Sequence, residues 1–409
     1  MKLNGHTIII FGLPRFDQEI ESTNFTTARL LARENTVFYV ENPFTIKDYF
    51  RFRNTRQNDV RKGFHAPGNA RIKDTEIPNL KIVIPPVLLS INFLPEGALF
   101  RALLKVNESL IRKKIRNVIR ENRIRNFIFI NSFNFHYPNV VRGLNPILEV
   151  YHCLDPLILP FDSRHGIVSE KIIVKNSDLI LCSAKQLYTE KVAENPQTYF
   201  VPNAADLSHS RKALDSNLPV SPSISGIPRP VIGYFGAVER RIDYSILQKV
   251  IGLNPEKSFV FVGPVSREFV PDVFFSMPNV KFIGSVPYES MPSVIKGFDV
   301  AVIPCKKDEV SRTIFPLKLF EYLGAGLPVV STDFNLDLKD FTGESVAFCP
   351  DAESFSKAIT EAITGNDDEK KRSRLAIAEK NTWEKRVDDM AAIINDAIVA
   401  KHQKSESKI

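Results

Sequence analysis

The strongest constraint on the fold is a rhythm of short, almost wholly apolar runs separated by helix-length stretches. Residues 7–11, 36–40, 127–130, 147–151 and 179–183 form a first series. Residues 231–235, 258–262, 280–283, 300–303 and 327–331 form a second. Runs of this length, rich in Val, Ile and Phe, read as buried strands. Strand, helix, strand in this order reads as βαβ units of a parallel sheet. In the first series a turn at Gly12-Leu13-Pro14 precedes a helix through residues 28–33. A long helix is predicted over residues 98–121, after an apolar, proline-rich stretch at 79–95.

Between the two series the character changes. Ser, Pro, Asn and Gly dominate residues 215–230, with no apolar period. A chain of 409 residues is too long for one ordinary core. The predicted domains are therefore residues 1–206, a linker at 207–230, a second α/β unit at 231–383, and a terminal helix at 384–409. Val387, Met390, Ala391 and Ile394 give that last segment its helical period. Hydrophobic content of 44% and charged content of 25% suit a globular protein. Cys153, Cys182, Cys305 and Cys349 show no C-x-x-C spacing, so neither a disulfide framework nor a zinc site is expected. The first apolar run is too short for a signal peptide, and no run approaches a transmembrane length. The expected location is cytoplasmic, with peripheral contact at the inner face of a membrane.

That last expectation rests on charge. The net charge is +7, and residues 51–125 hold 17 basic against 6 acidic side chains. Arg112, Lys113, Lys114, Arg116 and Arg120 crowd the long helix. A positive field of this kind attracts a polyanion or an anionic membrane. The plainer reading is a solvated helix face. Nucleic acid is not expected, because no interleaved surface aromatics or known module accompany the charge.

Chemistry concentrates in residues 316–332, Pro-Leu-Lys-Leu-Phe-Glu-Tyr-Leu-Gly-Ala-Gly-Leu-Pro-Val-Val-Ser-Thr. Pro316 suits a helix start, Gly324 and Gly326 its end, and Pro328 blocks its return. Lys318 and Glu321 share one face near the helix N-terminus. Free N–H groups and the helix dipole attract anions there. A lysine adds charge for phosphate, and a carboxylate one turn on accepts from sugar hydroxyls. An ordinary solvated Lys–Glu pair is the competing reading.

This run resembles the nucleotide-sugar motif of GT-B glycosyltransferases of the retaining group 1, or family 4, type. Their pattern, Pro-x-Lys-x-x-Glu-Tyr-x-x-x-Gly-x-Pro-Val-Val, is matched throughout. The nearest resemblance is to teichuronic-acid-type envelope glycosyltransferases. It implies an α/β chain of two Rossmann-like, doubly wound parallel-sheet domains facing a central cleft. The C-terminal domain would bind a nucleoside-diphosphate sugar, and the N-terminal domain a glycan or lipid-linked acceptor. The last helix would return to the N-terminal domain. Glu321 would hold the donor ribose; Lys318 and the helix N-terminus, with Pro316 and Leu317, would hold the diphosphate. Transfer would retain the anomeric configuration and need no cofactor.

Other positions follow the same pattern. In Gly233–Arg241, Gly236 permits close backbone approach, and Arg240 or Arg241 could clamp a diphosphate. Which arginine does so stays open. His152 and Asp155 follow the strand ending at Tyr151, where ligands bind in parallel sheets. The resemblance gives them a catalytic role, although a lone histidine is usually structural. Gly12 and Asn203 fall on the acceptor side, with Ala204 where the family has glycine. Thr313 stands where family 4 carries its first glutamate, beside the donor sugar. No D-x-D triplet occurs, so no metal is expected, and basic groups would neutralise the leaving group. Two alternatives remain: a nucleotide-sugar epimerase of the same fold, and an inactive nucleotide-sugar-binding scaffold.

Overall fold

The computed structural model describes residues 3–17, 22–66, 68–157 and 160–406. The chain divides into two compact units: residues 1–202 with 386–409, and residues 203–385.

The first unit is built on strands β1 (Thr7–Gly12), β2 (Thr36–Val40), β3 (Lys73–Asp74), β4 (Leu80–Val83), β5 (Ile128–Ser132), β6 (Leu148–Cys153), β7 (Leu179–Cys182) and β8 (Thr198–Phe200). Their order is β3-β4-β2-β1-β5-β6-β7-β8. All neighbours are parallel except β3 with β4. Central strands are buried along nearly their whole length, because helices cover both faces. The long helix Ala98–Glu121 occupies the predicted span. Its Phe100, Leu104, Ile111, Ile115 and Val118 pack with Ile9, Phe11, Val40 and Phe129 in one core cluster.

The second unit carries β9 (Val231–Phe235), β10 (Ser258–Val262), β11 (Val280–Gly284), β12 (Val300–Ile303), β13 (Val329–Thr332) and β14 (Val346–Cys349). They form one parallel sheet in the order β11-β10-β9-β12-β13-β14. Two core clusters include the β9 residues Val231 in one and Ile232 in the other, as expected for a strand buried on both faces.

Two expectations need correction. Residues 207–230 are not a solvated linker. They form the short helices Leu207–Ser210 and Pro222–Ser225 and a 3-10 turn between them. Leu207, Ala213 and Ile224 are buried in the second unit's core, so apolar anchors too sparse to show a period still fix the segment. The first unit's opening stretch ends at Pro202, so Asn203, expected with the N-terminal domain, belongs to the second unit. The helix Trp383–Glu406 runs into the first unit's share of the chain, and residues 407–409 of the predicted tail lie outside the described residues.

Candidate functional site

The helix Leu317–Gly324 starts at Pro316, whose ψ of 120° is still extended. Pro316 cannot cap with its side chain, so the first-turn N–H groups keep no side-chain acceptor. Gly326 takes a positive φ of 76° just past the helix end, and β13 follows. The apolar face, Leu319, Phe320 and Leu323, is fully buried.

Lys318 is half-buried and reaches β9. Its Nζ donates to the Tyr234 hydroxyl at 2.7 Å and lies 4.0 Å from that ring's centroid. No carboxylate pairs with it among the described residues. Gly236 follows β9 with φ 146°, and a Cβ there would stand 2.4 Å from Lys318 Nζ. A side chain at 236 would therefore displace the amine, and glycine lets the amine lie close against the backbone. Tyr322, 1% exposed, fixes the strand end: its hydroxyl accepts from Phe235 N–H at 2.7 Å. Lys318 and Gly236, brought together from sequence motifs far apart, thus share one corner.

Glu321 lies one turn on. Its Oε1 accepts from the Tyr288 hydroxyl at 3.0 Å. Burial pushes its carboxyl above the usual range, opposed by the Tyr288 bond and by the Lys318 charge. Sequence reasoning missed Tyr234, Tyr288 and His209, because their contacts join segments far apart in the chain.

The other residues singled out in the second unit differ in their engagement. Arg240 is exposed and makes no ion pair among the described residues. Arg241 pairs with Glu239 at 3.3 Å. Thr313 is 7% exposed, and its hydroxyl donates to Val310 O at 2.7 Å, which fixes its own loop. Leu317 is exposed and Pro316 buried. Asn203 is half-buried, and Ala204 does not adopt a positive φ, so that turn has no need of the family's glycine.

In the first unit the register aligns Gly12 with Ser132, and Ser132 with His152. Three strand ends thus lie side by side at the C-terminal edge of the sheet. His152 is 2% exposed, and its Nδ1 lies 3.3 Å from Ser132 Oγ. Burial pushes its pKa down to about 4, so the imidazole is neutral at pH 7. It can orient a hydroxyl but carries no charge. Asp155 is exposed just beyond β6. Asn24 donates to Ser132 O at 2.6 Å and to its Oγ at 2.9 Å, and Asn134 donates to Gly12 O at 3.0 Å. These asparagines were also missed, although polar residues directly after an apolar run, as in Asn131-Ser132-Phe133-Asn134, are the signal that singled out His152.

The basic helix needs correction. Lys114 is fully buried, donating to Phe64 O at 3.0 Å and Asn69 Oδ1 at 2.5 Å. Arg112 donates to Asn139 O at 2.7 Å. Both hold loops against the helix and do not face solvent as free charges. Lys113, Arg116 and Arg120 are exposed on one face. Among the described residues, no group of three His, Cys, Asp or Glu side chains is placed to hold a metal. No described helix is long and apolar enough to cross a membrane.

Residues 229–365 match the family described as Glycosyl transferases group 1. TuaH of Bacillus subtilis (strain 168), named as a teichuronic acid biosynthesis glycosyltransferase, is 27% identical over 205 residues, 45% of this chain and 50% of that protein. The chain thus spans about half the length of the curated relative it matches. Among solved structures, sucrose-phosphate synthase from Thermosynechococcus elongatus superposes with TM-score 0.62 at 13% identity, covering 97% of this chain and 100% of that one. A UDP-forming trehalose-phosphate synthase from Burkholderia vietnamiensis gives TM-score 0.68 at 9% identity, over 97% and 100%. Anabaena HepE in complex with UDP-glucose gives 0.60 at 12% identity, over 96% and 99%. The structural likenesses show the fold, and the family match shows the domain: residues 229–365 are a group 1 glycosyltransferase domain in a chain of GT-B fold.

Proposed function

We propose that the chain transfers a sugar from a nucleoside-diphosphate sugar to an envelope polysaccharide or lipid-linked glycan, with retention of configuration. The observation that carries this reading is Lys318. Among the described residues its half-buried amine has no carboxylate partner, and it sits against the backbone at Gly236. A diphosphate is the ligand that such a cation, beside uncapped helix N–H groups, suits best. Glu321 on the next turn would accept from the ribose hydroxyls. Two of the solved relatives carry UDP or UDP-glucose in their names, which favours a nucleotide-sugar donor.

In the reaction the bond from the anomeric carbon to the diphosphate oxygen breaks, and its electron pair leaves with the nucleoside diphosphate. Lys318, Arg240 or Arg241 and the helix N-terminus neutralise that developing charge. The acceptor oxygen forms the new bond on the same face, and its proton passes to the departing phosphate. Neutral His152 and exposed Asp155, at the edge of the first unit's sheet, are the candidates to orient sugar hydroxyls, with Gly12 leaving backbone room. Transfer is favoured over epimerisation or a silent scaffold by the glycosyltransferase name of the curated relative.

Incubation with a sugar-labelled donor and extracted envelope lipid or glycan tests the reading. The expected result is label in the acceptor fraction, unchanged by EDTA. Label recovered only in an epimerised nucleotide sugar, or only in unreacted donor, would overturn transfer. Loss of activity with EDTA, restored by manganese, would overturn charge neutralisation by basic groups alone.

A further inference from the structure

Glu321 is reached from segments far apart in sequence. The Tyr288 hydroxyl donates to its Oε1 at 3.0 Å. The Tyr288 ring stacks on the His209 ring, with centroids 4.4 Å apart and planes 20° apart. His209 is itself 9% exposed, and its Nε2 lies 2.7 Å from the Tyr288 carbonyl oxygen. A carbonyl can only accept, so Nε2 is the protonated nitrogen. The imidazole therefore grips Tyr288 twice, by its ring face and by its backbone. Oε2 of Glu321 makes no hydrogen bond to a described residue.

We propose that Tyr288, held by His209, is a positioning residue that presets the Glu321 carboxylate to receive ribose hydroxyls through Oε2. The proposal rests on Glu321 being the ribose-binding group. A free glutamate samples several rotamers, and a ligand that needs one must select it. A hydrogen bond that already fixes the carboxylate removes that loss on binding. Tyr288 is 47% exposed as a residue, so burial in a core does not account for its place beside Glu321.

The same bond bears on charge. The groups facing Glu321 are Lys318 on its own helix, His209 and Asp206 from the 206–210 segment, and Tyr288. Burial raises the carboxyl, and the Tyr288 bond opposes that rise. Removing the hydroxyl leaves the carboxyl protonated up to a higher pH.

The test is calorimetric binding of UDP, ADP, GDP and CDP to the parent, taking the tightest of the four forward, with inorganic pyrophosphate as the ligand lacking ribose. Tyr288→Phe keeps the ring stack and loses only the hydroxyl. It should weaken the nucleoside diphosphate roughly three- to tenfold, leave pyrophosphate unchanged, and move the low-pH loss of binding to higher pH. Glu321→Ala should weaken the nucleoside diphosphate at least as much. If Glu321→Ala binds like the parent, the ribose reading itself fails. If Glu321→Ala weakens binding while Tyr288→Phe matches the parent in affinity and pH profile, only the positioning role is overturned. Equal weakening of pyrophosphate by Tyr288→Phe would also overturn it, because that result indicates a displaced loop.

Discussion

Tyr322 and Lys318 lie on one helix and show how a site is built one residue at a time. The tyrosine hydroxyl accepts the Phe235 N–H at the last position of β9. That fixes the backbone leading into Gly236, against which the amine of Lys318 lies. Replacing Tyr322 by Phe orphans a backbone donor at the strand end. Such a loss typically costs about 1–3 kcal/mol. Tyr322→Phe should lower the stability of the second unit by that amount in urea unfolding, with donor affinity reduced as well. Unchanged stability would mean that water replaces the hydroxyl. The sequence made Lys318, Glu321 and Gly236 legible because charge and backbone freedom are written in residue type. Tyr288 and His209 were not legible, because their roles depend on a contact across 79 residues.

At the scale of elements, the helix Ala98–Glu121 separates what a charge count shows from what it hides. Its span was legible in the sequence. The fate of its five cations did not, because the sequence does not say which loops lie across it. Lys114 binds the 64–69 loop, and Arg112 binds the 139–140 loop. Lys113, Arg116 and Arg120 alone remain to attract an anionic surface. Each such residue near an anionic bilayer contributes about 1 kcal/mol. Changing these three to Gln should reduce sedimentation with anionic liposomes at low salt, while high salt should release the parent. Lys114→Gln should instead lower thermal stability without a comparable effect on sedimentation. Equal partitioning of the parent and the triple variant would leave this face merely solvated. The segment 207–230 carries the same lesson at smaller size: Leu207, Ala213 and Ile224 anchor it, but three residues set no period.

For the molecule as a whole, the repeated apolar runs were enough to foretell two parallel α/β units, since buried strands look alike in any context. The short strands β3, β4, β8 and β14 were not foreseen, because their apolar stretches are too brief or too mixed. The C-terminal helix carries a further electrostatic consequence. Lys401 donates to Asp178 Oδ2 at 2.6 Å, and the same oxygen accepts from Glu149 N–H at 2.8 Å. Burial, then the Asp178 charge, pushes the Glu149 carboxyl from 4.5 up to about 7. A carboxyl raised on folding contributes stability below pH 4.5 and loses it as pH rises through about 7. The first unit should therefore lose stability across that window. Glu149→Gln should remove this contribution and gain about 1–2 kcal/mol at pH 8 relative to the parent. Thermal melts of both proteins across this pH range check it, and parallel pH profiles would contradict it.

The central claim is that Lys318 and Glu321 together hold a nucleoside diphosphate. Titration calorimetry with UDP, ADP, GDP and CDP, on the parent, Lys318→Ala and Glu321→Ala, tests it most directly. The account predicts that at least one of these ligands binds the parent. Each substitution should weaken that binding by roughly 1.5–3 kcal/mol, the range for a hydrogen bond to a charged group, with thermal stability nearly unchanged. No binding of any of the four to the parent, or parent-like affinity in both variants, would contradict it.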